Sequence, residues 1–411
     1  MRKLALFILA ALSTSALAKH TSDQTWGQWQ GNSAHTGYSN TTIDPSMVKK
    51  LWVKDFPIKD RYSPMLSRVV VTNEAIYLTN RLITENSNKD KKELMALEPE
   101  NGNERWKVTI PASSTSPSFY NNKLYLVAKV GNDRLAQAIA LNVYDAQTGK
   151  PLLSVPATMP KYDIGSPVID NNQVFISSDF SLLAANAESG AMTWKAGNIA
   201  GRDLSATLTS QYVLRPLHNA LAILDRKDGH LIKSIQGTPY PFFFDPSNAI
   251  VWDEKQNTAF AVYEITQPKG SELAAIDTEL GLVKWSFLLP DHYITTPVLA
   301  NNMLYFISSK DGLEVNDSYI YAVNAINGKI EWTFKVDDHF FHTNLIVTNN
   351  ALIYHTPGKV VMLSLATHQP IASVETPGCG LMSLANDVLY IGDDNCMGLN
   401  TPAYLTAINL N

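Results

Sequence analysis

The chain has 411 residues, 45% of them hydrophobic and 17% charged, and a formal charge of −5. That much apolar material can fill a large core, and length alone would divide it into two or three domains. A mildly acidic chain with no basic cluster excludes nucleic acid as its natural partner.

The first element is MRKLALFILAALSTSALA, Met1 to Ala18. Arg2 and Lys3 form a basic start, Leu4 to Leu12 an apolar run and Ala16-Leu17-Ala18 a small-x-small site, which together predict an export signal cleaved before Lys19. A membrane anchor would need a longer run, and no later stretch approaches the roughly 18 apolar residues of a span. No cysteine follows the run to carry a lipid, so the mature chain is expected to be soluble, in the periplasm or secreted. Loss of Arg2 and Lys3 takes the formal charge from −5 to −7.

Residues 19–49 form a lead-in segment, and residues 50–411 are expected to form one repeat domain. The pattern is an apolar alternating run, then Asp/Asn-x-x-x-Gly, then an apolar or Trp restart. ALEPENGNERW carries Gly102 and Trp106, VYDAQTGKPLL carries Gly149, and LAANAESGAMTW carries Gly190 and Trp194. AILDRKDGHLI follows with Gly229, AAIDTELGLVKW with Gly281 and Trp285, and YAVNAINGKIEW with Gly328 and Trp332. LSLATHQPIASV is a degenerate copy with Gln369 in the glycine place. Between these turns lies a second mark, a tight polar turn followed by an alternating strand, as in NNKLYLV from Asn121, NNQVFIS from Asn171 and NNMLYFI from Asn301. Tight hairpin turns need positive φ, which Asn and Gly supply.

Polar turns outnumber glycine turns by one. The last strand, AYLTAINL from Ala403, has no turn after it, while KLWVKDF near Lys50 has nothing before it. Joined, these ends complete an eighth copy of about 45 residues. The expected fold is therefore all-β: an eight-bladed propeller of four-stranded antiparallel blades, closed by pairing an N-terminal strand with the C-terminal blade. The recurring Trp is read as a wedge between blades.

YAVNAINGKIEW, LAANAESGAMTW, AAIDTELGLVKW and the opening WGQWQGNSAHTGYS, Trp26 to Ser39, resemble the PQQ-like β-propeller repeat family. The resemblance covers nearly the whole mature chain and implies fold more strongly than function. One branch of that family, the quinoprotein alcohol dehydrogenases, holds pyrroloquinoline quinone (PQQ) and calcium, is usually much longer, and typically places an adjacent Cys-Cys pair over the quinone. The other, the outer-membrane-protein assembly factor B (BamB-like) scaffolds, has this length and no cofactor, but carries a lipid-bearing Cys that is missing here.

Candidate site residues fall in loops of the face that bears the turns entering each inner strand. PIKDRYSPM, RLITENSNKDKK, GTPYPFFFDPS and KDGLEVNDS are long or unusual there, with Glu85 to Lys92 read as a solvated loop. Asp291-His292 and Asp338-His339 stand at the same offset after Trp285 and Trp332 and could, with His342 and Asp337, converge at the channel mouth as a metal or proton-transfer site. The structural alternative packs those histidines against aromatics such as Phe340 and Phe341. Tyr240, Phe242, Phe243 and Phe244 either plug the channel or form a patch for a partner. Cys379 and Cys396 are 17 positions apart, so they cannot form the dehydrogenases' ring; in an exported protein they are expected to pair in a disulfide across one face.

No nucleophile elbow, phosphate loop or zinc spacing occurs. The expected function is a non-catalytic, monomeric protein-binding scaffold in the cell envelope, in the manner of outer-membrane protein assembly, with no cofactor. The alternative is a PQQ- or metal-dependent oxidoreductase or small-ligand binder using the loop face, with PQQ and calcium as its cofactors.

Overall fold

Each copy of the repeat opens with a short inner strand, and in blades two, three, six and eight it reverses at a pair of residues in left-handed backbone. Asn121 and Asn122 lie at φ 46 and 57, Asn171 and Asn172 at 48 and 60, Asn301 and Asn302 at 51 and 62. Tyr120 and Lys123 pair across the first of these turns, so it is a two-residue hairpin of the twisted kind that matches the strand twist. The later turn works differently. Asn324 Oδ1 accepts the N–H of Ile326 at 3.0 Å and of Asn327 at 3.3 Å, and Gly328 alone takes positive φ, at 73. The Asn-Gly dipeptide is thus not a hairpin pair; only its glycine carries the left-handed requirement, and the ladder shifts register between Ala322 and Val323.

The computed structural model describes residues 25–58, 63–83, 90–130, 138–159, 164–178, 180–197, 199, 205–217, 220–236, 249–266, 269–310, 317–336, 344–393 and 401–411. They form eight antiparallel sheets with no helix among the described residues. Two sheets contain a fifth strand because their inner strand is interrupted, at Ser63–Leu66/Val70–Val71 and His292–Ile294/Val298–Ala300. Blade one runs from Ser63, and blades two to seven follow in order. Blade eight takes three strands from the C-terminus and its outer strand from Lys49–Phe56, which pairs with Ala403–Asn409 and closes the ring.

The core lies between blades. Tyr77, Leu94 and Ala96 of blade one pack with Leu124, Leu126 and Tyr144 of blade two, and the same sharing repeats around the ring. Both faces of the middle strands are covered by neighbouring sheets, so Lys123–Lys129 is buried at every interior position instead of alternating. Alternation between exposed and covered positions is clearest in the outer strands, such as Ile330–Val336.

The tryptophans do more than wedge. The indole of one blade's outer strand lies on the turn glycine of the next: Trp52 on Gly102, Trp106 on Gly149, Trp194 on Gly229 and Trp285 on Gly328. Their Nε1–H groups donate to Pro99, Ala146, Arg226 and Ala325 carbonyls at 2.9–3.1 Å. Where a copy lacks Trp, Val155 covers Gly190 and the Lys233 stem covers Gly281. In the degenerate copy the left-handed position is His368, at φ 57, and not Gln369. Its ring stacks on Trp332 at 4.5 Å.

Candidate functional site

The lead-in segment makes a circuit of the ring on the face of the hairpin turns. Trp26 pairs with Val71 of blade one, and Gly27 O accepts from Phe119 N of blade two. The Gln28 amide brackets Ile169 of blade three at 3.0 and 3.3 Å. Ser33, Ala34 and Thr36 carbonyls then accept from Leu208, Trp252 and Leu299 of blades four, five and six. Gly37 and Ser39 bond Val347 of blade seven, and Asp44 N donates to Leu410 O in blade eight. Two left-handed glycines allow this path; a Cβ on Gly37 would meet Val298 at 2.2 Å and Gln30 Oε1 at 2.4 Å.

Trp29 is buried with the Arg68 guanidinium 4.1 Å from its ring. Around them Ser116, Ser166 and Leu381 leave a cavity of about 10 Å³, room for one water at most. His35, fully buried, holds Nδ1 2.9 Å from Trp29 O and Nε2 3.1 Å from Ala206 O. Burial lowers its pKa to about 4, with Arg68 adding to the effect. The motif WGQWQGNSAHTGYS signalled this segment in the sequence; its role as a circumferential tie was not visible there.

Beside the segment, on the side of blades three to six, lies an open cavity of about 870 Å³. One wall is Ser33 to Tyr38, and the others are the hairpin turns at Asp170, Ser210, Asp253 and Asn301. The floor is fixed by Arg226, whose guanidinium bonds Asp170 Oδ2 at 2.7 Å, Thr209 O at 2.8 Å and Gln173 Oε1 through Nε at 2.9 Å.

Of the expected site residues, Asp291, His292 and Cys379 lie among the described residues. Asp291 and His292 form the tight link from blade five to blade six. Asp291 is exposed at φ 58 and donates its N–H to Lys269 O at 2.7 Å, while His292 Nδ1 lies 2.8 Å from Pro290 O. That bond turns the imidazole onto its own backbone. Asp337, Asp338, His339 and His342 lie outside the described residues, as do Tyr240, Phe242, Phe243, Phe244 and Cys396. Cys379 is buried at the start of the inner strand of blade eight. Among the described residues the grouping of metal-type side chains is Asp225, Asp228 and His230, on an exposed turn whose Asp228–His230 contact of 2.6 Å is local.

The region read as a solvated loop is ordered at its end. The Asp90 side chain, 1% exposed, accepts from Arg81 at 2.8 Å, and Lys92 sits in the strand Lys91–Leu97 and donates to Ser114 O. Burial, with Arg81 nearby, lowers the Lys92 pKa to about 8. The charge run concealed this, because burial is decided by the neighbouring blade.

A family profile described as outer membrane protein assembly factor BamB matches residues 247–378. No curated protein sequence matches the chain. Among solved structures, a europium-containing methanol dehydrogenase superposes with TM-score 0.64 and 12% identity over 94% of this chain and 98% of that one. BamB from Moraxella catarrhalis gives 0.57 and 13% over 88% and 99%. Quinohemoprotein alcohol dehydrogenase ADHIIG from Pseudomonas putida HK5 gives 0.61 and 11% over 94% and 80%. At such identities these likenesses speak for the fold alone.

Proposed function

On the premise that the chain is a PQQ-like β-propeller repeat protein, we propose that it is an exported, monomeric scaffold that binds protein partners in the cell envelope, in the manner of outer-membrane protein assembly. The observation that carries this reading is the match of residues 247–378 to the BamB family. The lead-in segment is consistent with it, because its hydrogen bonds to all eight blades brace the ring as a rigid platform. The cysteines are too far apart in sequence to form the dehydrogenases' ring. No step of chemistry is therefore routed through PQQ.

Affinity capture from envelope extract with the tagged mature protein tests the proposal. A stoichiometric outer-membrane assembly protein in the eluate is the expected result. Tight one-to-one quinone binding with calcium, accompanied by dye-linked alcohol oxidation, would replace the scaffold with the enzyme.

We also propose the Cys379–Cys396 disulfide. Cys379 is 3% exposed, and no cysteine among the described residues is free. A bond closing this short loop would stabilise by about 3 kcal/mol in the chain-entropy picture. Thiol titration of unfolded, unreduced protein should find no free thiol, and finding two would refute the pairing.

A further inference from the structure

The cavity between the lead-in segment and blades three to six plays no part in the scaffold reading. Its volume of about 870 Å³ falls in the roughly 300–1,000 Å³ range of small-molecule sites. It is lined by three side-chain amides, Asn171, Asn301 and Asn302, and by the hydroxyl residues Ser33, Thr36 and Ser210. Half-buried Tyr38 supplies aromatic surface, while Trp252 is a buried core residue beneath the lining. The charged groups are largely committed: Asp170 to Arg226 and to Asn171 Nδ2, and Asp253 Oδ1 to the N–H of Lys255. With Glu254 and Lys255 as the remaining charges of the lining, there is no cationic cradle for an anion.

We propose that this cavity binds a neutral saccharide. An amide carries two N–H donors and an oxygen with two lone pairs, so capacity to give and accept remains after Asn171 Nδ2 bonds Asp170 and Asn302 Oδ1 accepts from Gln256; this matches sugar hydroxyls, and the Tyr38 ring suits the C–H face of a pyranose. The amides are held in place before any ligand arrives. Asn171 Nδ2 is held by Asp170 Oδ2 and Asn302 Oδ1 by Gln256 Nε2, each at 3.2 Å, the backbone of Asn171 and Asn301 is fixed in hairpin turns at φ 48 and 51, and the Arg226 bonds fix blades three and four relative to each other. An apolar ligand would strand these polar groups without partners, and an anion would meet more carboxylate than ammonium.

The test uses the full folded chain, with saturation-transfer NMR and calorimetry against maltotriose, triacetylchitotriose and trialanine amide. One trisaccharide should bind with sub-millimolar affinity. Asn171→Gly combined with Asn301→Gly should weaken it at least about tenfold, because Gly accepts the left-handed φ and only the amides are lost. Ser210→Trp, at an exposed lining position, should abolish binding at unchanged melting temperature. Absence of binding by both trisaccharides, equal affinity in the variants, or binding of trialanine amide instead would each overturn the proposal. Protein capture by Ser210→Trp is expected to match the native chain, so failure here and failure of the scaffold reading are separable.

Discussion

Gly149 and Gly358 show how one residue type carries two different loads. Both have positive φ, 69 and 90, but a Cβ on Gly149 would lie 2.5 Å from the Trp106 ring, whereas one on Gly358 would meet nothing within 4 Å. Gly358→Ala should cost only the left-handed penalty, about 1 kcal/mol. Gly149→Ala adds a displaced indole in a packed interface and should cost about 2–4 kcal/mol. Urea midpoints of the two variants check this, and equal losses would mean that the Trp–Gly contact has no energetic weight. The glycine spacing was legible because only a few residue types tolerate left-handed backbone. Gln369 was misplaced by one because its copy has no glycine to anchor the alignment, and the φ demand falls on His368.

Between elements, the information is split across copies. A sequence shows that Trp and Gly recur, but not that the Trp of one blade rests on the Gly of the next, since that contact exists only once sheets stand side by side. Trp194 is the most buried of the outer-strand tryptophans that close on a turn glycine, 8% exposed, with its N–H on Arg226 O at 3.0 Å and Phe175 5.9 Å away. Trp194→Phe should lose about 1 kcal/mol, the worth of one hydrogen bond. Trp194→Ala should lose about 3–5 kcal/mol by opening a cavity between blades three and four. Chemical denaturation of both separates bond from packing, and a Phe variant as damaged as the Ala variant would contradict the assignment. Ring closure was legible for a related reason: Lys49–Phe56 and Ala403–Asn409 are each an incomplete copy, and only their pairing leaves no unmatched blade. The paths of the lead-in segment and the loop-face residues were not, because they depend on contacts without periodicity.

At the scale of the whole ring, two buried histidines couple folding to pH. His35 ties the lead-in segment to blade four through Ala206 O, and His355 ties blade seven to blade eight, with Nε2 2.9 Å from Thr376 Oγ1 and Nδ1 3.4 Å from Gly380 O. Burial is the leading cause that lowers both from 6.5 to about 4, against backbone hydrogen bonds that act the other way. The unfolded chain therefore takes up two protons that the folded ring refuses. Their contribution is complete above pH about 6.5, is lost as pH falls through the window down to about 4, and changes no further below it. Each group accounts for about 3 kcal/mol across that window. The lowered carboxylates Asp145 and Asp277 act in the same direction, but only as pH falls below their ordinary value of 3.8, so among the described residues the interval from 6.5 to 4.5 belongs to the histidines. Denaturant titrations at pH 7.0 and 4.5 should show a fall of several kcal/mol, and His355→Gln should remove about half of the difference while losing some stability at both pH values. A native midpoint that is flat across this interval would mean that the ring opens to solvent at these sites before it unfolds, and that the two ties do not hold the closed propeller together.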